Sequence, residues 1–169
     1  PLPKQVDVRK LTQKCVEISA KEPIAQLPRL AGLLASDSGF VDVELSFYID
    51  EQRIRRLDGK IAAEVDAICQ RCLEPVSVKV ESSFALAIVW TDDQAKNLPR
   101  SVEPLIVDEE PIDLADVVEE ELILSLPIVN YHDNQCQQQT EFSDGEADEL
   151  AEEPRENPFK VLEQLKSNK

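Results

Sequence analysis

Two long stretches alternate apolar and polar residues with a period of two, the signature of half-buried strands. In Phe40–Asp50 the residues Val41, Val43, Leu45, Phe47 and Ile49 point one way, and Asp42, Glu44, Ser46, Tyr48 and Asp50 the other. In Val76–Trp90 the even positions Val76, Val78, Val80, Ser82, Phe84, Leu86, Ile88 and Trp90 share a face. That run exceeds the roughly five or six residues of an ordinary strand, so a bend, a bulge near Ser82-Ser83 or a split into two strands is expected. Between the two stretches lie a turn at Asp50-Glu51-Gln52, a return over Arg53–Leu57 and a hairpin signal at Asp58-Gly59. A further strand is expected over Lys60–Ile68. Residues 40–90 thus predict an antiparallel meander of about four strands. Cys15–Ser19 also alternates and predicts an earlier strand, with Cys15 as one more packed apolar residue.

Helical spacing appears elsewhere. Ile24, Leu27, Leu30, Leu33 and Leu34 fit a helix, but Pro28 divides it into two short turns. Thr91–Pro99 has room for one helical turn, and Pro104–Asp108 reads as a short edge strand. The strongest helix begins at Asp113, an N-cap residue with Asp116 three positions on. Its stripe is Leu114, Val117, Val118, Leu122 and Leu126, with Glu119 and Glu120 facing out, and Pro127 ends it. Asn157-Pro158 caps a last amphipathic helix with Phe159, Leu162 and Leu165 on its apolar edge. The resulting expectation is an α+β fold: an antiparallel sheet that could close into a barrel, with a packed C-terminal helix. The domain occupies residues 15–132, after a basic extended arm at 1–14. An acidic flexible linker at 133–156 and the short helix at 157–169 follow it. That helix either docks on the domain or captures a partner.

Charge changes the picture. The 169-residue chain carries a net charge of −16, but unevenly. Residues 1–91 hold 12 Lys and Arg against 13 Asp and Glu, residues 92–157 hold 3 against 20, and the last twelve hold 3 against 1. An acidic segment of this density repels phosphate backbones and attracts basic partners. Local basic clusters remain at Lys4–Lys14 and at Arg53, Arg55, Arg56 and Lys60, with Arg71 between two cysteines. At strand spacing Arg53 and Arg55 share a face, with Arg71 close enough to join them. The cluster could grip RNA phosphate or form a solvated hairpin paired with neighbouring acids. No apolar run approaches the roughly 18–20 residues of a membrane span, and the N-terminus has no apolar signal core. A cytoplasmic protein without a membrane partner is expected.

The candidate chemistry is Cys69-x-x-Cys72. A redox pair would open a helix, whose N-terminus lowers the thiol pKa; here an extended segment follows. His132-x-x-x-Cys136 supplies the complement of a Cys3His set of the kind structural zinc uses, with all four positions filled. The alternative is that His132 and Cys136 begin a disordered tail and bind nothing. Gly-rich phosphate loops, Ser/His/Asp orders and H-E-x-x-H are absent from the sequence. The Glu119-Glu120-Glu121 run reads as a solvated helix face. No catalytic residue and no small-molecule substrate are therefore expected.

These motifs together resemble the YceD family, large ribosomal RNA subunit accumulation proteins of bacteria and plastids, in its proteobacterial branch. The matching stretches are Cys69-Gln-Arg-Cys72 with its long strand, Glu103-Pro-Leu-Ile-Val107, and Ile112-Asp-Leu. Val118-Glu-Glu-Glu-Leu-Ile-Leu-Ser-Leu-Pro127, His132 and Asn157-Pro-Phe-Lys-Val-Leu-Glu-Gln-Leu-Lys166 complete the set. The resemblance implies a non-enzymatic role in accumulation of large-subunit (23S) rRNA and in ribosome biogenesis. Family members elsewhere carry a second Cys pair where this chain has His132 and Cys136, which supports a metal site there. The expected partners are large-subunit rRNA or its precursor, a basic large-subunit ribosomal protein, or both. The competing expectation is an acidic chaperone for one ribosomal protein without RNA contact.

Overall fold

Alternation in the sequence becomes one mixed sheet in the computed structural model, which describes residues 1–108 and 110–137. The elements in chain order are α1 (Val8–Gln13), β1 (Glu17–Pro23), a 3-10 turn (Ile24–Gln26), α2 (Pro28–Ala31), β2 (Phe40–Ile49) and β3 (Arg55–Ile68). Then follow β4 (Pro75–Val89), α3 (Asp92–Lys96), β5 (Glu103–Ile106) and α4 (Leu114–Ser125). The strands lie in sequence order, β1 to β4 antiparallel and β5 parallel to β4. The α+β expectation holds; closure into a barrel does not. β1 and β5 are free edges, and helices cover one face of an open sheet instead. No helix among the described residues is long and apolar enough to cross a membrane.

The core face follows from register. Val43 sits opposite Ile61, Phe47 opposite Leu57, and Leu57 opposite Leu86. These pack with Val8 of α1, Leu30 of α2, and Leu114, Val118 and Leu122 of α4. The other face carries Asp42, Glu44, Lys60, Glu64, Glu81 and Ser83, all exposed. Pro28 starts α2 at its first helical position, as the divided pattern requires. Asp113 caps α4 by accepting the Ala115 N–H at 2.9 Å. Leu126, forced extended before Pro127, ends it.

Several expectations are corrected. Asp58-Gly59 is not a hairpin turn but lies inside β3, opposite Ser46 and Leu45 on one side and Ala85 and Phe84 on the other. A β-carbon on Gly59 would stand 2.1 Å from the Phe84 ring, so the glycine makes room for an aromatic side chain. The reversal occurs one step earlier. There the Asp50 carboxylate accepts the N–H groups of Gln52 and Ile54, each at 2.9 Å, and Arg53 takes φ 65°. The meander between 40 and 90 therefore has three long strands rather than about four, and β4 pairs with β3 without a break at Ser82-Ser83. The expected extended arm at 1–14 contains α1, capped by Asp7, with Leu2 and Val8 buried and Val6 bridging Ile112. Cys15, expected in the core, is exposed in a left-handed turn at φ 51°. Residues 1–137 form one compact unit, so the described part of the expected linker, 133–137, belongs to it. The remainder of that linker and the helix with Phe159, Leu162 and Leu165 lie outside the described residues.

Candidate metal centre

β3 delivers the chain to Cys69 and β4 takes it away at Pro75. Between them the chain closes a tight knuckle: Cys69 N–H donates to the Glu74 carbonyl and Leu73 N–H to the Cys69 carbonyl, both at 2.9 Å. Leu73 closes it at φ 64°, a conformation that favours glycine. The knuckle turns backbone N–H groups toward the Cys69 sulfur. Burial alone pushes this thiol up, but the N–H groups of Cys72, Arg71 and His132 outweigh it and bring the thiol down to about 5. Cys72 moves the other way. The Glu74 backbone favours its thiolate, but burial and the Cys69 and Cys136 sulfurs raise it above its ordinary value.

The second pair of ligands arrives after α4. Segment 128–136 runs back along the knuckle, fixed by Gln70 N–H donating to the Asn130 carbonyl at 2.9 Å and the Gln70 side chain to the Ile128 carbonyl at 3.1 Å. Arg71 adds a clamp. Its guanidinium stacks on Tyr131 at 4.9 Å and donates to the carbonyls of His132 and Asn134.

Cys69, Cys72, His132 and Cys136 thereby come together, with all four ligand atoms within 4.8 Å of one another. Cys69 Sγ lies 3.7 Å from Cys136 Sγ, and Cys72 Sγ lies 3.4 Å from His132 Nδ1. A tetrahedral ion with sulfur at about 2.3 Å and nitrogen at about 2.0 Å requires S–S and S–N edges of about 3.8 and 3.5 Å. These two edges match such an ion, and the four ligand atoms stand close enough together to hold one. The sulfur separation excludes a disulfide, whose S–S bond is about 2.05 Å. His132 Nε2–H donates to the Pro75 carbonyl at 3.0 Å, leaving Nδ1 to face the sulfurs as a metal-ligating imidazole does. The Cys136 and Cys69 thiols raise the imidazole above its ordinary value. The C-x-x-C sits between two strands, not at a helix N-terminus, as the extended residues after it predicted.

The basic residues do not converge. Arg53 is exposed in the β2–β3 turn. Arg55 points at α1 and donates to Thr12 Oγ1 at 2.6 Å and the Arg9 carbonyl at 3.2 Å. Arg56 is paired with Asp58 at 3.1 Å and Asp50 at 3.6 Å and stacks on Tyr48. Lys60 is exposed on the open face. Arg71 follows the far end of β3, roughly 40 Å along the strand at about 3.3 Å per residue. Alternation sends Arg55 and Arg56 to opposite faces, so a sequence cluster becomes three separate environments. Sequence reasoning also missed the structural duty of Arg71, for which its place inside the C-x-x-C was the available signal. The Pro75 carbonyl left no signal, being backbone.

The family model described as "Large ribosomal RNA subunit accumulation protein YceD" matches residues 57–166, a span that includes all four clustered ligands. A protein of the same description from Haemophilus influenzae is 38% identical over 169 residues, covering 98% of this chain and 96% of the relative. No solved structure matches. With the match running from within β3 through the candidate metal centre and the relative aligned almost end to end, the chain belongs to the YceD family of large ribosomal RNA subunit accumulation proteins.

Proposed function

We propose that this chain is a non-enzymatic cytoplasmic factor that promotes accumulation of 23S rRNA and biogenesis of the large ribosomal subunit. Family membership over nearly the whole chain carries this reading. Cys69, Cys72, His132 and Cys136 would hold a structural zinc ion, which supplies a redox-inert cross-link between the β3–β4 knuckle and the segment after α4. With four protein ligands the site offers no open position to a substrate.

The factor acts by binding precursor rRNA, a basic large-subunit ribosomal protein, or both. Arg53, Lys60 and Arg71 are the exposed members of the basic set; Arg71 is committed to the His132 and Asn134 carbonyls, so Arg53 and Lys60 are the first candidates for RNA contact. The placement of Arg55 and Arg56 against Thr12, Asp50 and Asp58 favours the protein partner, because it removes two cations from the hairpin. The density of acids beyond residue 91 favours the same partner. Phe159, Leu162 and Leu165 are proposed to contribute an apolar edge for partner binding.

A tagged pull-down from growing cells, divided and treated or not with nuclease, separates the two. Large-subunit rRNA whose associated proteins vanish with nuclease would assign direct RNA binding. One basic ribosomal protein surviving nuclease in stoichiometric amount would assign the acidic surface. Recovery of neither would overturn the reading.

A further inference from the structure

A groove of about 600 Å³ with a mixed apolar and acidic lining runs between β5 and α4. Its floor and walls include Leu105, Ile106, Val117 and Leu124, of which Ile106 is 39% and Leu124 71% exposed. Around them stand Glu103, Asp113, Asp116, Glu120 and Glu121, and no Lys or Arg among the described residues lines the groove. None of these five carboxylates is in an ion pair among the described residues. The neighbouring cation, Arg29, is committed to Glu119 at 2.7 Å. Glu121 is held above its ordinary value by burial and by the nearby Glu103 and Glu120 charges. The groove therefore concentrates negative charge, offset only in part by Arg29 beside Asp116 and Glu120, around an apolar strip. That combination disfavours RNA and free anions and favours a ligand that is both cationic and apolar.

The shape narrows the choice further. Asp113, Asp116, Val117, Glu120, Glu121 and Leu124 recur at helical spacing along one side of α4, about 17 Å at 1.5 Å per residue. The opposite wall is the edge strand β5, only four residues long and containing Pro104. Proline lacks the N–H that strand addition needs, so an added strand could not propagate along this edge. A helix of about three turns fits the length and needs no backbone pairing. We propose that the β5–α4 groove captures an amphipathic helix of a basic protein partner, with its apolar side chains on Leu105, Val117 and Leu124. Its flanking Lys or Arg residues meet Glu103, Asp116, Glu120 and Glu121.

This inference rests on the basic-protein reading of function, but its test needs no ribosomal component. The probe is a fluorescent 14-residue Leu/Lys peptide of helical amphipathic pattern, titrated with the full chain at several salt concentrations. Leu/Glu and scrambled Leu/Lys peptides are the controls. Leu124→Ser and Glu120→Gln alter exposed side chains and leave the core intact. Each is expected to weaken binding by about threefold to tenfold, while Asp42→Asn with Glu44→Gln on the open sheet face changes it less than about twofold. Equal losses from both sets would reduce the binding to general charge attraction and overturn the groove. Equal binding of the scrambled peptide would overturn the helix. An affinity that rises tenfold when Phe159 and Leu162 are replaced by Ser would assign the groove to the chain's own terminal segment, and a dimer dispersed by Leu124→Ser would assign it to a second copy. Either result overturns a partner helix as occupant. Failure of the peptide assay leaves the pull-down result standing, so the two readings fail separately.

Discussion

Glu119 holds α2 against α4 through one carboxylate. Its oxygens accept the N–H groups of Arg29 at 2.7 Å and Leu30 at 3.1 Å, which are orphan donors in the first turn of α2. They also accept Arg29 Nε at 2.7 Å, and the side chain is only 3% exposed. Removing the acceptor leaves the buried Leu30 N–H and the part-buried Arg29 N–H unmatched, which costs about 3 kcal/mol. Glu119→Ala is therefore expected to lower Tm by about 6–12 °C for a chain of this size, read by thermal unfolding. Burial would raise the carboxyl's pKa, but the Arg29 side chain and the backbone N–H groups of Leu30 and Arg29 hold it below the ordinary 4.5. A depressed folded-state value means that this stabilisation is complete above pH 4.5 and lost as pH falls through the lower folded value. The Tm gap between Glu119→Ala and the parent chain is expected to be full at pH 7 and to narrow below pH 4.5. A gap that stays constant would mean that the charge of Glu119 contributes nothing. The sequence concealed this residue. Glu119 sits next to the Leu114–Val118–Leu122 stripe, and only its meeting with α2, ninety positions earlier, gives it a reason to be buried.

At the scale of elements, β3 and β4 are the longest strands and are joined in one unbroken register. Gly59 is the point where that pair is most sensitive. The Phe84 ring lies over it, and an added methyl would meet three ring carbons at 2.1, 2.5 and 2.7 Å. Gly59→Ala is expected to destabilise by about 1–3 kcal/mol, the range for forcing extra volume into a packed site. Phe84→Leu in the same chain should recover part of the loss, and a double-mutant cycle by denaturant unfolding reads the coupling directly. Additive losses would place the ring elsewhere. The same glycine explains how an element was misread. Asp-Gly between alternating runs is a turn signal locally, and only the cross-strand neighbour reveals that the missing side chain is filled by an aromatic one. By contrast, β2, the core parity of β4, the break at Pro28 and the stop at Pro127 were legible. Each depends on period or on proline's missing donor, and both are properties of the local chain.

Across the whole molecule, the four candidate ligands tie together residues 60 to 67 positions apart, at the end of the sheet where β3 turns into β4. Their convergence was legible in part. The Cys69–Cys72 spacing and the single histidine announced the set, but the return path depends on Pro127 ending α4 and on Gln70 and Arg71 gripping residues 128–134. Residue spacing encodes none of these contacts. If zinc occupies the site, it stabilises the folded state by about 4 kcal/mol at a thousandfold excess of free ion over its dissociation constant. That corresponds to a Tm difference of about 8–16 °C between metal-loaded and chelated protein. The loss should be local in origin. Hydrogen exchange is expected to rise first at residues 69–75 and 128–136, while β1 and β2, packed against α1 at the other edge, keep their protection. Cys136→Ser should reproduce the chelated state and abolish the response to added zinc, because three ligands bind far more weakly than four. Elemental analysis of protein purified without chelator should give one zinc per chain, and none for Cys136→Ser. Protein that carries no zinc, and whose exchange at 69–75 is unmoved by chelator, would make the cluster a packed thiol–imidazole contact. The knuckle would then be held to the segment after α4 by Gln70, Arg71, Tyr131 and the His132–Pro75 hydrogen bond.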